Sequence, residues 1–261
     1  MSFIKRGVKV VDSLYKELVE RAISLGRGER VKRAVIGLFY AFSEIEKGGA
    51  GLAYIDKDMI SSCCEASSVT FWKEPADLLV KYYLQGSIVE SFLAFSLINA
   101  LINNSKELTK YPHFGDPFQE IALNNEDKVL MIGYFEPLFK KLSGKVKSII
   151  VIEKEERSGL EKLLHNEMDK IKIALVTSAT LANKTFHTYL SILKEISEVI
   201  LMGPSTPLCP EIFKYTPVTW LCGVKVKDTE LLFRLVCEGK GTPDFFRKGA
   251  IEKINIKVQE K

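Results

Sequence analysis

The chain has 261 residues, 46% hydrophobic and 27% charged, with a formal net charge of +4 from 37 basic and 33 acidic side chains. That mix suits one large or two ordinary globular domains and leaves no long polar Pro/Gly/Ser-rich linker. The charges are interspersed and no aromatic-basic platform is visible, which argues against a nucleic-acid partner. In chain order, Leu14, Leu18, Ala22 and Leu25 recur at helical spacing among Lys16, Glu17, Glu20 and Arg21, so a helix is expected over 10–25, stopped by Gly26 and Gly28. RAVIGLFYAFSEI (33–45) reads as one strand, EKGGAG as a glycine turn, and LAYI (52–55) as the partner strand of a hairpin. A helix starts at Glu74-Pro75. Ser87 and Glu90 have capping-box spacing for another that runs to about Asn103.

The second part alternates. Strands are expected at 129–135, 146–153, 171–177, 198–203 and 218–224, with a last edge strand at 254–258. Between them lie helices ending near Leu142, over 160–166, over 181–196 and over 229–238. Short apolar β-branched runs alternating with helices point to an α/β fold with a mostly parallel, doubly wound, Rossmann-like sheet. A small α+β domain (1–115) precedes it, and the ligand-binding domain spans 116–261, because YPHFGDPF interrupts regular structure between them.

In such a sheet ligands bind beyond the carboxyl ends of the strands, so the turns there carry the functional reading. GYFEP contains Gly133, Phe135 and Pro137 but not the glycines of a dinucleotide fingerprint. Glu153 ends the second strand, where a carboxylate can hold a ribose, or simply be a solvated acid. TSATLANKT offers Thr177, Ser178, Thr180, Asn183, Lys184 and Thr185. Its spacing matches a Walker A loop, but Ser178 and Asn183 replace both glycines, which excludes an ATPase. A cap by Ser178 or Thr180 is the structural reading of the same hydroxyls. GPSTPLCP sets Gly203, Ser205 and Thr206 in a proline-stiffened loop.

His113, His165 and His187 have no metal-ligand spacing, and no metal site is assigned. Cys209 and Cys222 flank the ligand end and read as small core residues. The five cysteines fit no disulfide framework. The opening residues lack a signal-peptide pattern, and the most apolar stretch, 88–102, is shorter than the ~20 residues of a membrane span. A cytoplasmic protein that does not engage a membrane is therefore expected.

Taken together, GYFEP, TSATLANKT, GPSTPLCP followed by GVKVKD, and the upstream GGAGLAYI resemble the "putative heavy-metal chelation" family over nearly the whole chain. The resemblance implies a first domain similar to the enolase N-terminal fold, a Rossmann-like second domain, and a site between them. It implies condensation or hydrolysis of pterin-, flavin- or siderophore-like molecules. Carried over, the site would use Gly133, Phe135, Pro137, Thr177, Thr180, Asn183, Thr185, Gly203, Ser205 and Thr206. Gly51, Tyr54 and Asn99 would face it from the first domain, although Asn99 also reads as a buried structural amide.

Catalysis would fall to Glu153, Glu136 or Lys184, the titratable candidates. A non-catalytic binder of a metal chelate or metabolite is the competing reading, and an S-adenosylmethionine-dependent methyltransferase a third. No cofactor is assigned. The partner is a small molecule, and a homodimer would add burial to a small first domain.

Overall fold

The computed structural model describes residues 2–60, 69–153 and 171–258. The helix expected over 160–166, together with Cys63, Cys64 and His165, lies outside the described residues. Helix α1 (Ser2–Gly26) buries Leu14, Leu18 and Ala22 as their spacing requires. Strands β1 (Val31–Ile36), β2 (Tyr40–Ile45) and β3 (Ala50–Tyr54) form an antiparallel meander in the order β1-β2-β3.

The single strand expected over 33–45 is therefore two strands. The chain turns at Gly37, whose N–H donates to the Tyr40 carbonyl at 3.0 Å. A Cβ at Gly37 would lie 2.6 Å from the Val236 carbonyl oxygen, so the turn is pressed against a later helix. Its other residues, Leu38 and Phe39, are apolar, which is why composition disguised it as strand. The β2–β3 turn is the expected glycine turn, with Gly48 at φ +91 and Gly49 at φ +107.

Helix α2 (Ile88–Ile102) begins with the expected capping box. The Ser87 N–H donates to Glu90 Oε2 at 2.7 Å, and the Glu90 N–H donates to Ser87 Oγ at 3.3 Å. It is apolar all round because it is buried on nearly every side, Phe92, Phe95, Leu97 and Ile98 included. No helix among the described residues is long and apolar enough to cross a membrane.

The six-stranded sheet comprises β4 (Lys128–Ile132), β5 (Ser148–Ile152), β6 (Ile171–Thr177), β7 (Glu198–Met202), β8 (Trp220–Val226) and β9 (Ile251–Lys257). Their order is β5-β4-β6-β7-β8-β9, all parallel except the edge strand β9, which runs antiparallel to β8. Successive residues alternate between two covered faces. Leu130, Ile132, Ala174, Val176, Val199 and Leu201 join the core that also holds α1 and α2. Val129, Met131, Ile173, Leu175, Ile200 and Trp220 pack on the other side with Leu138 and Leu142 of helix α3 (Glu136–Leu142). One continuous core thus runs through both halves of the chain.

The two sheets are tied a second time by helix α4 (Thr229–Cys237). Tyr40, Phe42 and Leu52, on the face of the small sheet turned from α2, pack with Leu232, Leu235 and Val236. At the rim of this contact Glu44 is buried. It accepts from Arg33 Nε at 2.6 Å, Lys32 Nζ at 3.0 Å and Thr229 Oγ1 at 3.0 Å. Burial alone raises this carboxyl, but the three donors outweigh burial and hold it below the ordinary carboxylate value. Its folded pKa lies below its unfolded one, so its contribution to stability is full above about pH 4.5 and is lost as pH falls through the folded value. Glu44→Gln is expected to flatten the acid limb of a stability–pH curve in that window, and an unchanged limb would refute the assignment.

Two expected elements end differently. The strand over 129–135 stops at Ile132, because Gly133 takes φ +83 and turns the chain. The helix over 181–196 is broken into Ala179–Ala182, a 3-10 turn at Phe186–Tyr189 and Leu190–Leu193. The break falls at Lys184, which adopts φ +59. Asn183 supports it there by accepting on Oδ1 from the Thr185 N–H at 3.2 Å and from Thr185 Oγ1 at 2.7 Å.

Candidate functional site

The order β5-β4-β6 makes the carboxyl ends of β4 and β6 the point where successive crossovers leave in opposite directions, the kind of switch point at which doubly wound sheets bind ligands. Gly133 and Thr177 meet there. A Cβ on Gly133 would lie 2.7 Å from Thr177 Cγ2, so only glycine fits both the φ and the contact. One strand further along, the Ser178 N–H donates to the Met202 carbonyl at 2.8 Å, and a Cβ on Gly203 (φ +127) would lie 2.8 Å from Ser178 Oγ. The first residues of all three turns are therefore locked side by side.

The expected cap by Ser178 or Thr180 is not made, since the Ser178 side chain accepts no capping bond. Thr177 takes the role one residue earlier, its Oγ1 accepting from the Ala179 N–H at 3.3 Å, while Thr180 Oγ1 donates to the Thr177 carbonyl at 2.6 Å. The chain enters the short helix already in helical geometry at Ser178, which turns that side chain from the helix end.

Several other expected site residues join the two halves. Ser205 Oγ accepts from the Tyr54 N–H at 2.7 Å. Asn99 Nδ2 donates to the Leu52 carbonyl at 2.8 Å and the Ser205 carbonyl at 3.1 Å, and its buried Oδ1 has no partner among the described residues. Thr206 Oγ1 donates to the Cys222 carbonyl at 3.2 Å. Ser205, Thr206 and Asn99 are all buried, so they act as structural supports behind these turns. Gly51 sits directly beneath α2, where a Cβ would lie 2.2 Å from the Ala100 nitrogen. Tyr54, by contrast, remains partly exposed, with its ring edge-on to Tyr40 at 5.8 Å.

Around these turns stand the titratable candidates. Lys184 is half-buried. Burial pushes its ammonium below the usual lysine value, and its Nζ lies 5.1 Å from the Tyr83 ring centroid with no carboxylate at ion-pair distance among the described residues. Glu153 is exposed at the end of β5. Glu136 and Pro137 are exposed in the first turn of α3, and Lys140, bonded to Glu136 at 2.6 Å, holds its carboxyl below the usual range. Phe135 is part-buried against the sheet, and its N–H points at Met131 Sδ at 3.3 Å.

Two residues important here had no motif to mark them. Asp56, buried just after β3, accepts from Asn183 Nδ2 at 3.2 Å and so joins the two halves of the chain. Asn103 holds the 203–210 loop, with Nδ2 donating to the Thr206 carbonyl at 3.0 Å and Oδ1 accepting from the Leu208 N–H at 2.8 Å. In sequence Asp56 reads as a turn residue and Asn103 as an ordinary helix end. Only its spacing of four from Asn99 puts both amides on one helix face.

Among the described residues the donor set does not fit a metal held by protein side chains. No group of three or more His, Cys, Asp or Glu is clustered among the described residues. Burial and the nearby Asp116 carboxylate push the Cys222 thiol up to about 12, and burial raises Cys209 well above the ordinary thiol value, so neither is a ready thiolate. A groove of about 600 Å³ exists elsewhere, at the amino ends of β7 and β8, remote from these turns.

Comparison with known proteins gives the same outline. A protein of Methanocaldococcus jannaschii, described as "Uncharacterized protein MJ0500", is 26% identical over 183 residues, covering 66% of this chain and 68% of its own length. The crystal structure of a DUF364-family protein of unknown function from Pyrococcus horikoshii superposes with a TM-score of 0.76 at 20% identity, covering 94% of this chain and all of that one. Another from Desulfitobacterium hafniense superposes with a TM-score of 0.73 at 20% identity, covering 95% and 98%. These likenesses establish the shared α/β fold. Two family models, both described as "Putative heavy-metal chelation", match residues 19–102 and 116–255. With the larger model covering more than half of its length, the chain belongs to this "putative heavy-metal chelation" family.

Proposed function

We propose that the site at the carboxyl ends of β4, β6 and β7 binds a small metabolite, of the pterin-, flavin- or siderophore-like kind, and serves metal chelation through that molecule. The observation that carries this reading is the packing of Gly133 on Thr177 and of Gly203 on Ser178 at a switch point of the sheet. Positive-φ glycines bring backbone close to an occupant, and stiff turns cost little entropy on binding. Tyr54 and Asp56 bring the small sheet to the same end, so both halves would contribute. The metal would be held by the small molecule, because no three ligating side chains are grouped among the described residues.

If the site is catalytic, Lys184 is the group to carry proton transfer or hold a developing anion, since burial already moves it toward neutrality. Glu136 is a poor acid beside Lys140. Native mass spectrometry of the purified protein, compared with its denatured mass, tests the reading. The expected result is an excess mass in the organic range that falls at least about ten-fold in occupancy in Lys184→Gln, the loss of one charge-assisted contact. An organic-free protein whose melting temperature is unmoved by pterins, flavins and catecholates would refute it. Bound metal persisting without any organic mass would overturn the chelate part.

A further inference from the structure

The groove at the opposite end of the sheet shares only Pro210, the last residue of the 203–210 loop, with the turns above. Its volume, about 600 Å³, falls within the roughly 300–1,000 Å³ of small-molecule pockets. Pro112, Phe114, Pro210 and Val258 supply apolar wall. The two prolines cannot change φ, so much of that wall exists before anything binds. Phe114 is braced edge-on against Trp220, with ring centroids 5.5 Å apart, and its N–H is bonded to the Asn255 carbonyl at 2.9 Å.

The charged groups of the groove are not equally available. Glu211 accepts from the Tyr111 hydroxyl at 2.6 Å and lies 3.6 Å from Arg21 of α1, and Glu198 accepts from Thr219 Oγ1 at 2.7 Å. Glu211 thus has a cation and a hydroxyl, whereas Glu198 has a hydroxyl alone among the described residues. Lys214 and Lys257 are exposed and have no carboxylate at ion-pair distance among the described residues. Lys257 Nζ lies 5.5 Å from the Trp220 ring centroid, beside the Phe114 wall. What remains for an occupant is a rigid aromatic and proline wall next to two exposed ammonium groups that have no carboxylate partner among the described residues.

We infer that this groove is a second ligand site, taking a planar aromatic molecule that carries a carboxylate. The ring system lies against the Phe114 and proline wall and the carboxylate faces Lys214 and Lys257. Two exposed ammonium groups without an ion-pair partner among the described residues, against the one carboxylate, Glu198, that has no cation, favour an anion over a cation, and the preformed flat wall favours a planar body over a flexible chain.

The test uses 2-naphthoate as the probe, 2-naphthalenemethanol as its uncharged counterpart and backbone amide shifts as the readout. Naphthoate is expected to saturate at or below about 1 mM, with shifts confined to residues such as Glu198, Lys214, Thr219 and Lys257. In the Lys214→Gln/Lys257→Gln double variant its affinity should fall roughly five- to ten-fold while the weaker binding of the alcohol is unchanged. Both lysines are exposed, so an unchanged melting temperature of the variant is expected and serves as the control. No saturation by 10 mM (about ten times the expected value), equal affinity for acid and alcohol, or shifts at Thr177–Asn183 in place of the groove would each overturn the inference.

Discussion

Gly51→Ala is expected to cost about 3 kcal/mol and to lower the melting temperature by roughly 6–12 °C, without a selective effect on ligand affinity. The added Cβ would lie 2.2 Å from the Ala100 nitrogen, 2.3 Å from the Ser96 carbonyl oxygen and 2.7 Å from the Asn99 carbonyl carbon. All three are backbone atoms of α2, so no rotamer change relieves the contact and the strand and helix must separate. Separation also strains the Asn99 bonds to Leu52 and Ser205 on either side. Gly48→Ala is the control. That glycine has φ +91 and nothing within 4 Å of the added atom, so only the backbone penalty of about 1–2 kcal/mol applies. Denaturant unfolding of the two variants separates steric from conformational cost. A Gly51→Ala protein as stable as the parent but unable to bind would instead make Gly51 a ligand contact.

The second large effect is expected at Asn103. Asn103→Ala removes the donor to the Thr206 carbonyl and the acceptor of the Leu208 N–H, both in the buried loop that follows β7. Each stranded group costs about 1–3 kcal/mol, for a total of roughly 2–6 kcal/mol. Asn103→Asp should not rescue it, since a carboxylate can still accept from Leu208 but cannot donate to Thr206, and it buries a charge. The neighbouring Asn104, whose Nδ2 donates to the Ala50 and Ala100 carbonyls from a half-buried position, should cost only about 1 kcal/mol as alanine because water reaches it. Amide hydrogen exchange gives the local readout. Leu208 should lose protection in Asn103→Ala and keep it in Asn104→Ala. Retained protection at Leu208 would show that the prolines hold the loop unaided. If the loop does loosen, Ser205 shifts from the Tyr54 N–H, and ligand retention should fall with it.

What was legible from residue pattern alone were the features governed by neighbours in the chain. The capping box at Ser87 and Glu90, the glycine turn before β3, and the succession of strands 4 to 9 follow from local hydrogen bonding and from apolar periodicity. The polar turns at strand ends could be picked out because parallel strands are apolar throughout and their ends are not. Tertiary structure decided what depends on atoms distant in sequence. The turn at Gly37 is set by Val236, and the break at Lys184 follows a helix that cannot continue once Asn183 is held by Asp56 and Thr185. The division of hydroxyls between structure and site was likewise invisible. Ser205, Thr206 and Thr180 look alike in sequence, yet Ser205 and Thr206 are used by backbone groups on other strands and Thr180 by its own turn, because a buried hydroxyl must find a partner wherever the chain brings one. The same rule explains why Asn99 and Asn103, two amides on an apolar helix, clasp a loop a hundred residues away.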